Sequence, residues 1–243
     1  MIEALDQFDV VRVRASNASP LTLDGTNTWV LGRNPAWVVD PGPHLPGHLD
    51  SVAEVVGERG GAGGVVVTHS HADHVEGAAA LAERLGVTLG DAGPLEVVPL
   101  PGHADDHVVY LWGDVCCAGD AVLGEGSVFV AGDMAGYLDG LRALRERGLR
   151  LICPGHGPPV FEPDAKLDEY LAHRLEREAR LVAALEKGVR GDDALLDAVW
   201  DDAPAFLRAA AALTMHAHLR KLGAEDRLPA DVSAPPPAEP PPV

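Results

Sequence analysis

Apolar positions along the chain fall into short runs of two kinds. Val10–Val13, Thr28–Leu31, Ala36–Val39 and Val65–Val67 are strand-length, rich in β-branched residues and bounded by turn residues. The same pattern recurs at Val97–Leu100, Val108–Trp112, Val115–Ala118 and Leu149–Cys153, with Gly113-Asp114 marking a hairpin. Between these runs, Leu49–Arg59, His74–Leu85 and Tyr137–Arg147 have helical spacing. The Gly60–Gly64 cluster ends the first of them and Gly86 the second. After Pro163 the strands cease, and Leu167–Lys187, Ala194–Trp200 and Ala205–Leu222 read as helices. The pattern predicts an α/β domain over 1–162, a small helical domain over 163–228, and a Pro/Ala-rich tail over 229–243 expected to be extended and disordered.

Composition adds bounds to this picture. With 243 residues, 47% of them hydrophobic, the chain can bury a sizeable core, which excludes wholesale disorder. The formal charge of −18 disfavours a nucleic-acid partner held by counterion release, although bound divalent metals reverse the local field. Cys116, Cys117 and Cys153 cannot all pair within the chain and lie in apolar runs, so they read as small buried side chains. The N-terminal residues lack the basic and apolar segments of a signal peptide, and no apolar stretch approaches a membrane span. A cytoplasmic location is the expectation.

The densest chemistry is Thr68-His69-Ser70-His71-Ala72-Asp73-His74, directly after a valine run. Where a strand breaks into a loop, His69 and His71 point the same way and can share one metal. Asp73 and His74 then begin a helix and face a neighbouring position. The bland alternative is a His-rich surface loop. A wider regularity favours chemistry: four times an apolar strand ends in a tight turn carrying a metal-type side chain, at His69, His103, Asp120 and His156. Asp40, in Asp40-Pro41-Gly42, reads equally as a solvated turn residue and as an acceptor that fixes a histidine tautomer. Ser70 has no dedicated base and reads as a spacer.

HSHADH, PGHADDH, AGD and PGHGP, in that order, resemble the metallo-β-lactamase superfamily over roughly residues 10 to 160. Tyr170-Leu171-Ala172-His173-Arg174, followed by Arg177-Glu178, is similar to the branch called β-lactamase-like protein 2, whose members carry a C-terminal winged-helix-like domain. The resemblance implies a four-layer αββα sandwich with a metal site at one edge. It places His69, His71 and His103 on a first zinc and Asp73, His74 and His156 on a second, with Asp120 bridging; iron or manganese are the alternative metals. The segment between His74 and His103 is shorter than in that branch, lacking strands and a loop before the PGH turn.

Two zinc ions sharing a hydroxide would cleave an electrophilic centre, and the resemblance gives Asp73 the role of orienting that hydroxide and helping to shuttle a proton. The leading expectation is hydrolysis of a small ester, thioester or lactone-like acyl substrate, since lysine and arginine do not cluster in the acidic catalytic half. The runner-up is a phosphodiesterase acting on single-stranded RNA, with Arg174, Arg177 and Arg180 at helical spacing. Glu176 and Glu178 interleave with these arginines, however, as on a solvated helix face. A third class is a non-hydrolytic binding module or di-iron redox protein. Di-iron relatives carry Glu where this chain has His71, which argues against it. The helical domain is expected to be structural, capping the site or forming a homodimer interface, and His216 and His218 are read as surface or interface residues.

Overall fold

Alternate residues along each strand belong to different cores, and that alternation builds the molecule. The computed structural model describes residues 1–236, so 237–243 of the expected tail lie outside the described residues. The first sheet runs in the order β1 (Ile2–Leu5), β2 (Val10–Arg14), β3 (Asn27–Leu31), β4 (Ala36–Val39), β5 (Ala62–Val66). Its pairs are antiparallel except the last, β4–β5, which is parallel. The second sheet is β6 (Glu96–Pro99), β7 (Val108–Trp112), β8 (Val115–Gly119), β9 (Leu151–Pro154), again ending in a parallel pair.

On β3, Trp29 and Leu31 face the second sheet while Val30 faces helices; on β9, Leu151 and Cys153 face the first sheet while Ile152 turns outward. Helices α1 (Pro46–Glu58) and α3 (Ala78–Leu85) cover the first sheet through Leu49, Val52, Val56 and Leu81. Helices α4 (Met134–Arg145) and α5 (Pro163–Glu186) cover the second through Tyr137, Leu141, Leu167 and Tyr170. The expected α/β, αββα layering is therefore observed. The three cysteines are free and buried.

Each parallel pair needs a crossover helix, α1 in one sheet and α4 in the other, so the strands that feed the turns point one way. Asp40 follows β4, the histidine-rich loop follows β5, His103 follows β6, Asp120 follows β8 and His156 follows β9. The sheets meet at that edge, where the N–H of Asn27 donates to the carbonyl of Gly155 at 2.7 Å.

Three elements differ from the sequence pattern. The helix expected over His74–Leu85 is two, α2 (Ala72–Val75) and α3, broken at Gly77. A Cβ on Gly77 would stand 2.8 Å from Leu49 Cδ2 and 3.1 Å from the carbonyl oxygen of Gly42, so a side chain there would crowd the close approach of this turn to Gly42. The strand β5 begins inside the glycine cluster that reads as a helix stop, because Trp37 on β4 lies flat against Gly63 and Gly64. The edge strand β1 is short, and its Glu3 interrupts any apolar run.

Beyond Pro163 the chain forms α5, α6 (Asp192–Val199) and α7 (Arg208–Ala224), the last preceded by a 3₁₀ turn; no strand occurs there among the described residues. Leu181, Leu185, Val199, Met215 and Leu222 make a core of their own. Leu167, Tyr170 and Ala217, by contrast, pack into the core of the second sheet. Residues 229–236 lie against this unit, with Val232 on its core and Asp231 paired with Arg190 at 2.9 Å. Among the described residues no helix is long and apolar enough to cross a membrane.

Candidate metal centre

The strand-end turns bring the seven side chains His69, His71, Asp73, His74, His103, Asp120 and His156 together. Among the described residues, three overlapping groups have donor atoms close enough to hold a metal ion: His69, His71 and His103; His69, His74 and Asp120; and Asp73, His74 and His156. In the first, His71 Nδ1 lies 2.9 Å from His69 Nε2 and 3.0 Å from His103 Nε2. In the last, Asp73 Oδ2 lies 3.4 Å from His74 Nε2 and 3.3 Å from His156 Nε2. The Asp120 carboxylate stands between the groups, 3.5 Å from His74 Nε2, 3.6 Å from His103 Nε2 and 3.3 Å from His156 Nε2.

The outward nitrogens of these rings are already committed. His74 Nδ1 donates to Asp40 Oδ2 at 3.0 Å, His103 Nδ1 to the Phe129 carbonyl at 3.2 Å, and His156 Nδ1 to the Gly25 carbonyl at 3.4 Å. His69 Nδ1 donates to Thr68 Oγ1 at 3.0 Å, because that hydroxyl spends its own proton on Asp40 Oδ2 at 2.9 Å. Four imidazoles thus aim Nε2 inward and spend Nδ1 on an outer acceptor, the orientation a metal ligand needs. Asp40 is the shared anchor, since its other oxygen accepts the Thr68 N–H at 2.7 Å. Of its two sequence readings, the tautomer-fixing acceptor is the observed one: the residue is 1% exposed and sits at φ +53°, outside the usual range for a non-glycine residue.

Two observations fit the cluster to a divalent cation. His74 Nε2 and Asp120 Oδ1 are buried without any hydrogen-bond partner. A Cβ on Gly155 would stand 2.3 Å from Asp120 Oδ1 and 2.7 Å from His74 Cε1, so bare backbone is what leaves those two groups their room. The electrostatics agree. Burial lowers His69, and it holds His103 down at about 4, so both rings are neutral at ordinary pH, the form that can ligate a metal. Burial alone would raise Asp120, yet His74 and His156 keep it well below the carboxylate range. Burial likewise works against charge on His74 and His156, but Asp120, with Asp40 at His74, raises both, His156 to about 9. The carboxylates call for positive charge, which a bound cation would supply in place of those protons.

Several residues around the cage carry no signal in sequence. Thr26 is fully buried and donates its hydroxyl to Asp73 Oδ2 at 3.0 Å. His107, inside PGHADDH, accepts the Asp120 N–H at 3.2 Å and is pushed down to about 3 by burial. Its spacing from His103 is the one clue. Ser70 is exposed, as a spacer would be.

Two readings of the helical unit are corrected. Arg174 and Arg177 are buried, not on a solvated face. Arg174 reaches Ser127 Oγ and the Val128 carbonyl, while Arg177 pairs with Asp202 at 2.6 Å and reaches the Val199 carbonyl. Arg180 is paired with Asp201 at 2.6 Å. His218 is a buried residue rather than a surface one. It donates to Glu178 at 3.4 Å, and Glu178 also pairs with Lys221 and Arg227. His216 lies near the surface beside Asp192.

No protein-family model matches the chain. It is 28% identical over 249 residues to a β-lactamase-like protein 2 homolog of Caenorhabditis elegans, covering 88% of this chain and 83% of the relative. It is 29% identical over 204 residues to an atrochrysone carboxyl ACP thioesterase of Aspergillus chevalieri, covering 73% of this chain and 66% of the relative. Among solved structures, a β-lactamase domain protein from Burkholderia ambifaria matches with a TM-score of 0.75 at 18% identity, covering 93% of this chain and 88% of that one.

Proposed function

The chain belongs to the metallo-β-lactamase superfamily of hydrolases, and from that premise we propose that it is a dinuclear-zinc hydrolase of small ester, thioester or lactone-like acyl substrates. The observation that carries the reading is the position of Asp120, which faces both the His69–His71–His103 group and the Asp73–His74–His156 group within one cluster. Imidazole and carboxylate donors make up every group in the cluster, a set that catalytic zinc sites use.

Divalent ions held there supply Lewis acidity and lower the pKa of water towards neutrality. The remaining work belongs to the chain. Asp73 is the most solvent-facing carboxylate of the cage and is steadied by the Thr26 hydroxyl, which suits it to orient a water molecule and hold a proton in transit. Asp40, through Thr68 and His74, keeps two rings in one tautomer throughout.

Among acyl substrates, a thioester is favoured by the relative named as an ACP thioesterase. An RNA substrate has lost its candidate contacts, because Arg174 and Arg177 are buried and Arg180 is paired with Asp201. The test is a hydrolysis panel of acyl thioesters, lactones, β-lactams and single-stranded RNA, run on zinc-loaded protein with an Asp120→Ala control. Turnover of an acyl substrate, lost in the control, is expected. Full activity in Asp120→Ala, or turnover of RNA alone, would refute the proposal.

A further inference from the structure

Residues 127–132 form an extended strap with no sheet partner, running between the metal turn and the helical unit. Buried backbone in such a strap must find hydrogen-bond partners, and where it finds them is informative. On one side the Phe129 carbonyl accepts from His103 Nδ1 at 3.2 Å, and the N–H groups of Ala131 and Gly132 donate to the Gly102 carbonyl at 2.9 and 2.8 Å. On the other side every partner is a side chain from beyond Pro163. Arg174 holds Ser127 Oγ at 2.9 Å and the Val128 carbonyl, and Thr214 Oγ1 accepts the Val130 N–H at 3.1 Å. Arg220 reaches the carbonyls of Ala131 and Gly132.

The side chains alternate in the same way. Val128 and Val130 are buried in the core of the second sheet, whereas Phe129 is partly exposed and sets its ring 4.9 Å from that of His103. The strap is therefore clamped from one face and touches the site with the other.

We infer that Thr214, Arg220 and Arg174 are positioning residues for His103: the helical unit clamps the strap 127–132, and the strap's Phe129 carbonyl fixes the tautomer and ring plane of a metal ligand. This assigns the helical unit a part in metal binding, and it rests on the reading of His103 as a ligand. The relation is that of an outer-shell acceptor to a ligating imidazole, whose loss typically weakens metal binding 10–100-fold. A slack strap leaves the acceptor present but mobile, so the lower end of that range is expected.

Four full-length variants test it: Thr214→Val, which keeps the shape but loses the acceptor, Thr214→Ser, which restores it, Arg220→Ala, and His103→Ala as the reference. Each is titrated with zinc against a chromophoric chelator and with cobalt, whose visible ligand-field bands report ligand geometry, and each is melted to check folding. Thr214→Val and Arg220→Ala are expected to unfold cooperatively, bind about tenfold more weakly and shift the cobalt bands, with Thr214→Ser returning both to wild type. Wild-type affinity and spectrum in the folded Thr214→Val and Arg220→Ala proteins, beside a deficient His103→Ala, would overturn the positioning role alone. Wild-type binding by His103→Ala would overturn the metal reading beneath it. Arg220 is only partly buried, so its variant carries the test even where Thr214→Val unfolds.

Discussion

Gly155 matters for the atoms it lacks. It follows β9, and any side chain there would overlap Asp120 Oδ1 and crowd His74. Gly155→Ala leaves every donor in place yet must push Asp120 or His74 aside. Metal content after purification, measured by elemental analysis, is expected to fall by at least one ion relative to wild type; full loading would show that the space is not what the site depends on. Asp40 is the complementary case, a residue that touches no metal candidate's inward atom and still governs two of them. Its replacement by alanine frees His74 Nδ1 and the Thr68 hydroxyl together. Zinc affinity of Asp40→Ala is expected to drop by about 10–100-fold. An unchanged affinity in chelator competition would show that burial alone holds those rings. A stability loss on the order of 2 kcal/mol should accompany the substitution, since a buried N–H is orphaned.

At the level of elements, the helices α5 and α7 meet over a buried charge. Burial would raise Glu178, but hydrogen bonds from His218, Lys221 and Arg227 bring it to about 2, against an ordinary 4.5. The stabilisation from this shift is complete above about pH 4.5 and is lost as pH falls towards 2. His218 acts in the same sense: burial lowers it, so the neutral ring favours folding above its ordinary 6.5 and loses that advantage as acid protonates it. Glu178→Gln is expected to cost about 3 kcal/mol at pH 7 and much less near pH 3, read from urea melts at both values. Equal losses at both would mean the carboxylate charge is not the source.

The same two helices show how far the sequence could be read. The histidines and aspartates at strand ends, which the fold brings together, and the alternation that sorts the sheets into layers are local patterns, and both are legible in the sequence. Glu178 looked like one charge among arginines on a wet face, because its partners stand some 40 residues further along the chain and only tertiary packing introduces them. Gly63 and Gly64 read as a stop for the same reason: what makes them strand residues is the indole of Trp37, on another strand. Thr26 acts through a single contact to Asp73 that leaves no spacing in sequence to notice, and His107 through one to Asp120 that only its place in PGHADDH hints at.

The whole molecule has a charge of −18 and spends part of its folding energy on gathering seven metal-type side chains into one edge. Without a cation, His74 Nε2 and Asp120 Oδ1 are buried with no hydrogen-bond partner, a need that only the folded cage creates. Cations that bind the folded cage and not the unfolded chain must therefore raise stability by mass action, by about 2.7 kcal/mol when free zinc is a hundred times its Kd. For a chain of this length that corresponds to a rise in Tm of roughly 5–10 °C, smaller to the extent that unfolded histidines also hold zinc. Calorimetry with and without zinc, and again after EDTA, measures it directly. The expected signature is a zinc-dependent rise that EDTA reverses and that shrinks in Asp120→Ala, because that variant removes the carboxylate that faces both groups of donors. An Asp120→Ala protein that melts higher than wild type without metal, and no longer responds to it, would be the clearest sign that the cage trades stability for a binding site. A wild-type melt indifferent to zinc would mean that the fold gathers these groups for some end other than holding a cation.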